Sequence, residues 1–313
     1  MKRKLIKQGG SGLVAYIPKK WVDEKKLKAG DEIDFIEEAD DLIISAKPKE
    51  DKKEIDLDFR EEDPLFIKII INDLYRSGFD RMIISYKTEE QFETVNETVN
   101  EYLLGFEITE KRDGKVIIEN ITLPEEEKQE VLLRRIFFIL EDMFDIIGQK
   151  IESKKVNDKQ ITEDKRKIGQ YDNFSRRNIS KKKFYQESSS FYWMLYYHLY
   201  LISHNLYHLY GVLQENSRYK ASKKILYNFS EIKKFYLEMQ KGFFTKDLSK
   251  LKKINTAMNK FLYSPLQKDM QLSKNAEGLV LYYLAELIRL LYKTNTPVLG
   301  ILLSSQTQTY KNQ

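Results

Sequence analysis

From Pro124 onward the chain carries almost no period-two alternation, and that single fact sets most of the architecture. Apolar residues recur there at helical spacing, which predicts helices at 125–153, 157–186, 188–215, 219–243, 246–262 and 273–294. Breaks are expected at Ser153 and the polar stretch after it, at Gly211, at Gly242 and at Pro265. Six helices of this length with short connections make one or two three-helix bundles. The halves 125–215 and 219–294 each hold about three helices, with no exact repeat between them. Ser304–Gln313 is polar and is expected to be a disordered tail. The most apolar windows, Val131–Ile147 and Leu279–Tyr292, are interrupted by Arg134, Arg135, Glu141, Glu286 and Arg289, so no membrane span is expected. Met1 is followed by Lys2, Arg3 and Lys4 with no apolar leader, and the expected location is the cytoplasm.

The chain has no cysteine, which excludes disulfide frameworks, thiolate nucleophiles and Cys-based metal sites. With 42% hydrophobic residues it has the material for real cores. Charge changes sign along it. Residues 1–28 hold nine Lys/Arg against Asp23 and Glu24, a net +7, whereas 29–50 carry a net −6 and 51–124 a net −8. Residues 125–313 return to +12. Blocks that switch sign at plausible boundaries point to modules with different partners.

Residues 1–47 read as strand, strand, short helix, strand, strand. Lys4–Lys7 and Leu13–Ile17 flank a glycine-rich turn at 9–12, and Pro18 opens a helix to about Lys26. Turns at Gly30 and Asp31 and at 39–41 then bracket strands at Glu32–Glu37 and Leu42–Ala46. Pro48 and the charged run to Glu54 read as a linker. The glycines lead into a strand, not a helix, so neither a P-loop nor a dinucleotide fingerprint applies. A unit this small buries too little apolar surface to stand alone, which already favours a dimer.

The run from Ser11 to Trp21 (SGLVAYIPKKW), followed by Leu27 to Ile33 (LKAGDEI), resembles the AbrB/MazE/SpoVT family of swapped-hairpin DNA-binding domains. The resemblance implies that two chains interleave their hairpins into one small β-barrel that contacts DNA. Its basic face would be Lys2, Lys4, Lys7, Lys19 and Lys20, with Ser11 and the glycine loop near phosphates. Members of that family often carry two arginines in the short helix; this chain has Val22 and Asp23 there, so no base-reading residue is assigned.

Residues 55–123 read as a small α/β module, a spacer or dimerisation unit. Pro64 opens a helix to Tyr75, Ser77 and Gly78 end it, and Arg81–Tyr86 is a strand. Glu89–Tyr102 is an amphipathic helix with Phe92, Val95, Val99 and Tyr102 on one face. Asp113 and Gly114 join Phe106–Glu110 to Lys115–Ile118 as a hairpin.

The helical region 124–303 resembles PhoU-type domains, and the whole order is similar to archaeal phosphate uptake regulators that join an AbrB-like head to a PhoU-like body. The fold class implied is multidomain α+β. PhoU-type helices carry acid pairs four residues apart that hold metal clusters, since that spacing sets both carboxylates on one face. This chain has Asp164 but Ile168, then Ser203 and Tyr207, then Glu286 and Leu290, so no cofactor or metal is assigned. His204 and His208 fall four apart on one helix and could reach one ion, but a third and fourth ligand are missing. The rings at Tyr192, Trp193, Tyr196, Tyr197, Tyr200, Tyr207 and Tyr210 read as an aromatic interhelical core. Lys181–Tyr185 and Arg218–Lys224 interleave cations with rings and are candidates for non-specific nucleic-acid contact.

No nucleophile, base and oxyanion donor meet in a recognisable pattern, so no catalytic residue is named and an enzyme is not expected. The resemblance implies a DNA-binding transcriptional regulator of phosphate uptake or related transport, acting as a homodimer. A second reading makes the helical body an interaction module that restrains a phosphate transporter or its signalling partner, with the head serving for dimerisation. An antitoxin-like binding module is a weaker third, since such proteins usually lack a large helical body.

Overall fold

The computed structural model describes residues 3–9, 12–38, 41–46, 52–122, 129–154, 156–181, 188–216, 219–273 and 275–311. Outside them lie Lys2, Gly10, Ser11, Ala39, Asp40, most of the linker around Pro48, the basic and aromatic residues at 182–185, and Arg218. The chain divides into two units, Met1–Lys52 and Lys53–Gln313.

The first unit holds two separate hairpins and a short helix. β1 (Ile6–Gln8) pairs with β2 (Gly12–Val14), setting Ile6 opposite Val14 and Lys7 opposite Leu13. Pro18 precedes α1 (Lys19–Glu24), which ends before the expected Lys26 because Lys26 itself is left-handed at φ 55°. β3 (Ile33–Glu38) pairs with β4 (Asp41–Ala46), with Ile33 opposite Ala46 and Phe35 opposite Ile44. Opposed residues share a face, so these four make one apolar surface. That surface is open: Phe35 is 57% exposed, Leu42 is 56% exposed, and Ile33, Ile44 and Ala46 are only half-buried. An isolated two-stranded hairpin is marginal in water. The barrel implied by the resemblance is therefore not closed within one chain, where the hairpins remain two distinct sheets.

The second unit begins with a four-stranded sheet. β5 (Glu54–Asp58), α2 (Pro64–Arg76), β6 (Arg81–Ser85), α3 (Glu89–Tyr102), β7 (Phe106–Arg112) and β8 (Lys115–Asn120) follow in order. The strand order is β5-β6-β8-β7, with β5 parallel to β6 and the remaining pairs antiparallel. Local chemistry explains the boundaries. Asp63 caps α2 through the Phe66 amide, and Thr88 and Gln91 form a capping box on α3. Asp113 and Gly114, at φ 48° and 70°, supply the two left-handed residues of a tight hairpin turn. Ile67, Ile71 and Tyr75 of α2 and Val95 and Val99 of α3 pack with Met82, Ile84, Val116 and Ile118 of the sheet.

The helices are α4 (Gln129–Ile151), α5 (Asp158–Ser180), α6 (Ser189–Glu215), α7 (Lys223–Phe244), α8 (Leu248–Phe261), α9 (Gln267–Leu272) and α10 (Asn275–Lys311). They enclose one continuous apolar core. A single π-helical turn, Leu262–Leu266, links α8 to α9 around Pro265. Gly211 and Gly242 do not break their helices. Gly242 instead lets α8 approach, since a Cβ there would lie 2.8 Å from Leu251, a fully buried side chain. Gly242→Ala is expected to destabilise the unit by about 1–3 kcal/mol through overpacking, read as a lower thermal midpoint.

α10 corrects the expected end at residue 294 and the disordered tail, because the helix continues through Pro297 to Lys311. Proline removes a helical hydrogen bond, but Val298, Ile301 and Leu302 beyond it are buried in the core and hold the helix together. Among the described residues, no helix is long and apolar enough to cross a membrane.

Candidate functional site

In the first unit Lys4, Lys7, Lys19 and Lys20 are all exposed, as the basic-face expectation requires; Lys2 and Ser11 fall outside the described residues. The charges on α1 run against its own dipole. Lys19 and Lys20 occupy the first turn, where the helix end is partially positive, and Asp23 and Glu24 occupy the last. Among the described residues a loose Lys20–Glu24 pair at 3.9 Å, both partners widely exposed, offsets this in part. A short helix that breaks this local rule gains nothing for its own stability, and an external anion at its start would relieve the conflict.

In the second unit the chemistry collects along α5. Residues 172–179 are buried without interruption, because α5 is packed by α2 and α3 on one side and by α4 and α6 on the other. That run is Asp172, Asn173, Phe174, Ser175, Arg176, Arg177, Asn178 and Ile179, six of the eight polar or charged. Arg177 donates to the Tyr75 and Phe79 carbonyls at 3.0 and 2.6 Å and to Asp80 Oδ1 at 2.6 Å. It thereby neutralises the carbonyl end of α2. Lys181 donates to the same carboxylate at 2.5 Å. Burial opposes ionisation of Asp80, yet Lys181 and Arg177 hold its carboxyl below the usual value. Asp172 is fully buried and pairs with Arg176; burial pushes its carboxyl up against the pull of that guanidinium. The Arg176 guanidinium also lies over the rings of Trp193 and Tyr197, 5.3 Å from each.

Asn173 links the two halves of the unit. Its Nδ2 donates to Asn72 Oδ1 at 2.5 Å, and its Oδ1 accepts from Arg76 Nε at 2.7 Å. Beside these residues lies a cavity of about 300 Å³, lined also by Lys68, Lys165, Tyr102, Tyr200 and His204. None of these was singled out as a site residue except His204, since they come from four helices distant in sequence.

Two of the three metal candidates meet, without a third ligand beside them among the described residues. His204 and His208 meet edge to face with centroids 4.4 Å apart, His208 is exposed against Tyr283, and His204 faces the cavity. Burial, Lys165 and His208 bring the His204 ring down to about 4, so it is neutral at pH 7. Asp164 accepts from Gln160 at 2.8 Å. Among the described residues no three His, Asp or Glu side chains are grouped to hold a metal. The aromatic-core expectation holds for Tyr196 and Tyr210, which are buried, whereas Tyr197 is 43% exposed.

Burial raises the Asp164 carboxyl above its ordinary 3.8, helped by Asp142 and Glu163. The folded protein then holds this proton more tightly than the unfolded chain, so Asp164 costs stability as pH rises through its folded value. Asp164→Asn is expected to raise the thermal midpoint at pH 8, and the gain should vanish below about pH 3.8.

No family model, curated protein or solved structure matches this chain.

Proposed function

We propose that the protein is a DNA-binding transcriptional regulator that works as a homodimer. The first unit contacts DNA and dimerises; the second senses a ligand or partner. The observation that carries this reading is the inverted charge of α1, with Lys19 and Lys20 exposed at its positive end in a unit whose Phe35 and Leu42 stand exposed. Interleaving two copies would cover Phe35 and its neighbours and double the basic face. Each phosphate neutralised then releases condensed counterions, so affinity rises with the number of lysines engaged. The regulated process, phosphate uptake or a related transport response, rests on the resemblance of the chain order.

Fluorescence anisotropy on mixed-sequence duplex DNA across a salt series tests this directly. The logarithm of the binding constant is expected to fall linearly with log salt, with a slope of about −0.9 per phosphate contact. The double change Lys19→Ala, Lys20→Ala should weaken binding on every sequence alike and flatten that slope. A chain lacking residues 1–52 should lose the signal. If the intact protein shows no salt-dependent binding, the DNA reading falls. The interaction-module reading then takes its place, favoured by the exposed Leu272, Leu279 and Tyr282 on α9 and α10.

A further inference from the structure

The cavity between α2 and α5 has a charge imbalance that its surroundings do not explain. Lys68 and Arg76 from α2 and Lys165 from α5 line it, and among the described residues no carboxylate does. Arg76 is held by Asp73 at 2.6 Å and by Asn173, which leaves its Nη2 without a partner among the described residues. Among those residues, neither the Lys68 nor the Lys165 ammonium forms an ion pair. Each instead lies over an aromatic ring, Lys68 at 4.7 Å from the centre of Tyr102 and Lys165 at 4.4 Å from that of Tyr207. Cation–ring contact compensates a desolvated ammonium only in part. Burial and the nearby Lys68 pull the Lys165 ammonium down, with Glu101 opposing, and burial and Arg176 do the same to Arg76 against Asp172 and Asp73.

The larger groove between α4 and α7, about 760 Å³, makes the contrast. Its lining cations are matched there, Lys233 with Asp145 and Lys154 with Glu152. Of these two, the smaller one is lined by ammonium groups that form no ion pair among the described residues. Its other walls add amide donors and acceptors from Asn72 and Asn173, the rings of Tyr102 and Tyr200, and a neutral imidazole at His204. Gly169 leaves the wall thin, with the place of a Cβ only 3.0 Å from the Tyr102 ring. At the rim stand Leu65 and Ile69, 69% and 47% exposed. A volume of this size lies at the lower end of ligand pockets, roughly 300–1,000 Å³.

We propose that this cavity is a binding site for a small organic anion, a molecule with a phosphoryl or carboxylate group seated among Lys68, Arg76 and Lys165 and a flat or apolar body against Tyr102, Leu65 and Ile69. The anion supplies the counter-charge the site lacks, and charge-assisted hydrogen bonds orient it. Because the cavity spans the seam between the sheet module and the helical bundle, occupancy would fasten α2 to α5. The assignment stands on the second unit alone, whether or not the first unit binds DNA.

The test is calorimetric titration of the full-length protein in chloride-only buffer with three probes: inorganic phosphate, citrate and adenosine monophosphate. Saturable binding of at least one probe is expected. The phosphate-bearing and carboxylate-bearing arms distinguish the two sources of negative charge, and adenosine monophosphate against inorganic phosphate reports the contribution of a planar body. Lys68→Gln and Lys165→Gln should each weaken binding about tenfold or more. Lys165→Arg should retain it, and Lys253→Gln on the exposed face of α8 should leave it unchanged. Without ligand, the two glutamine variants should melt at the wild-type temperature or above it, because each removes a like-charge repulsion; a merely structural lysine would show the opposite sign. Absence of saturable binding by all three probes, or equal affinity in wild type and both glutamine variants, overturns the assignment.

Discussion

Arg177→Ala is expected to lower the thermal midpoint of the second unit by on the order of 10 °C. The guanidinium is 4% exposed as a residue and serves two carbonyls and a carboxylate at once. Its removal leaves the Tyr75 and Phe79 carbonyls without that donor and Asp80 with Lys181 as its remaining side-chain cation. Breaking a buried pair by deleting one member costs roughly 3–5 kcal/mol, and a domain of this size loses about 2–4 °C per kcal/mol. Arg177 also lies over the rings of Tyr75 and Phe106, at 5.0 and 4.7 Å, so lost packing adds to lost charge. Arg177→Lys should recover less than half of the effect, since an ammonium cannot present the same planar fork to three acceptors. Thermal melts followed by circular dichroism decide it. A midpoint within 2 °C of wild type for the alanine variant would mean that the seam between α2 and α5 is held without Arg177, by apolar packing and the Asn173 bonds.

Phe35→Asp is expected to dissociate the dimer proposed for the first unit. The side chain is 57% exposed in one chain and sits opposite Ile44 on the apolar face of β3 and β4. Burying a phenylalanine is worth roughly 1.5–3 kcal/mol, and a symmetric dimer contains the change twice. A buried aspartate adds an unpaired charge. The dissociation constant should rise by a hundredfold or more, about 1.4 kcal/mol for each factor of ten. Sedimentation velocity over a concentration series measures the shift, and a dimer of unaltered strength would remove the first unit from the interface. DNA affinity should fall with it, because a monomer presents half the basic face.

How much of this was legible in the residues differs from element to element. The helix over 188–215 and the hairpin at Asp113 and Gly114 follow from signals carried within a few residues, apolar periodicity and turn chemistry, and both are present as Ser189–Glu215 and a two-residue turn. The exposed lysines of the first unit were legible for the same reason, since their meaning lies in charge density along a short run. Gly242 was read as a break and is a packing contact, because a glycine's role depends on the helix that approaches it. The last helix is expected to end at 294 yet runs on through Pro297, because burial of Val298 and Ile301 outweighs a lost hydrogen bond.

The run from Asp172 to Ile179 marks the division most sharply. By itself the sequence determined that this segment is helical, that the region after Pro124 is a bundle, and that a basic stretch of 28 residues opens a unit too small for its own core. Only the tertiary structure decided that both sides of α5 are covered, so that Asp172, Asn173, Arg176 and Arg177 become interior groups: Asn173 and Arg177 bond to α2, while Asp172 and Arg176 pair with each other beneath the rings of α6. The same packing sets Lys68 and Lys165, remote in the chain, beside one cavity with no carboxylate in its wall among the described residues. Secondary structure arises from interactions within a few residues and is written in local pattern. Burial of charge depends on which surfaces meet, and that is settled by apolar contacts made across the whole unit.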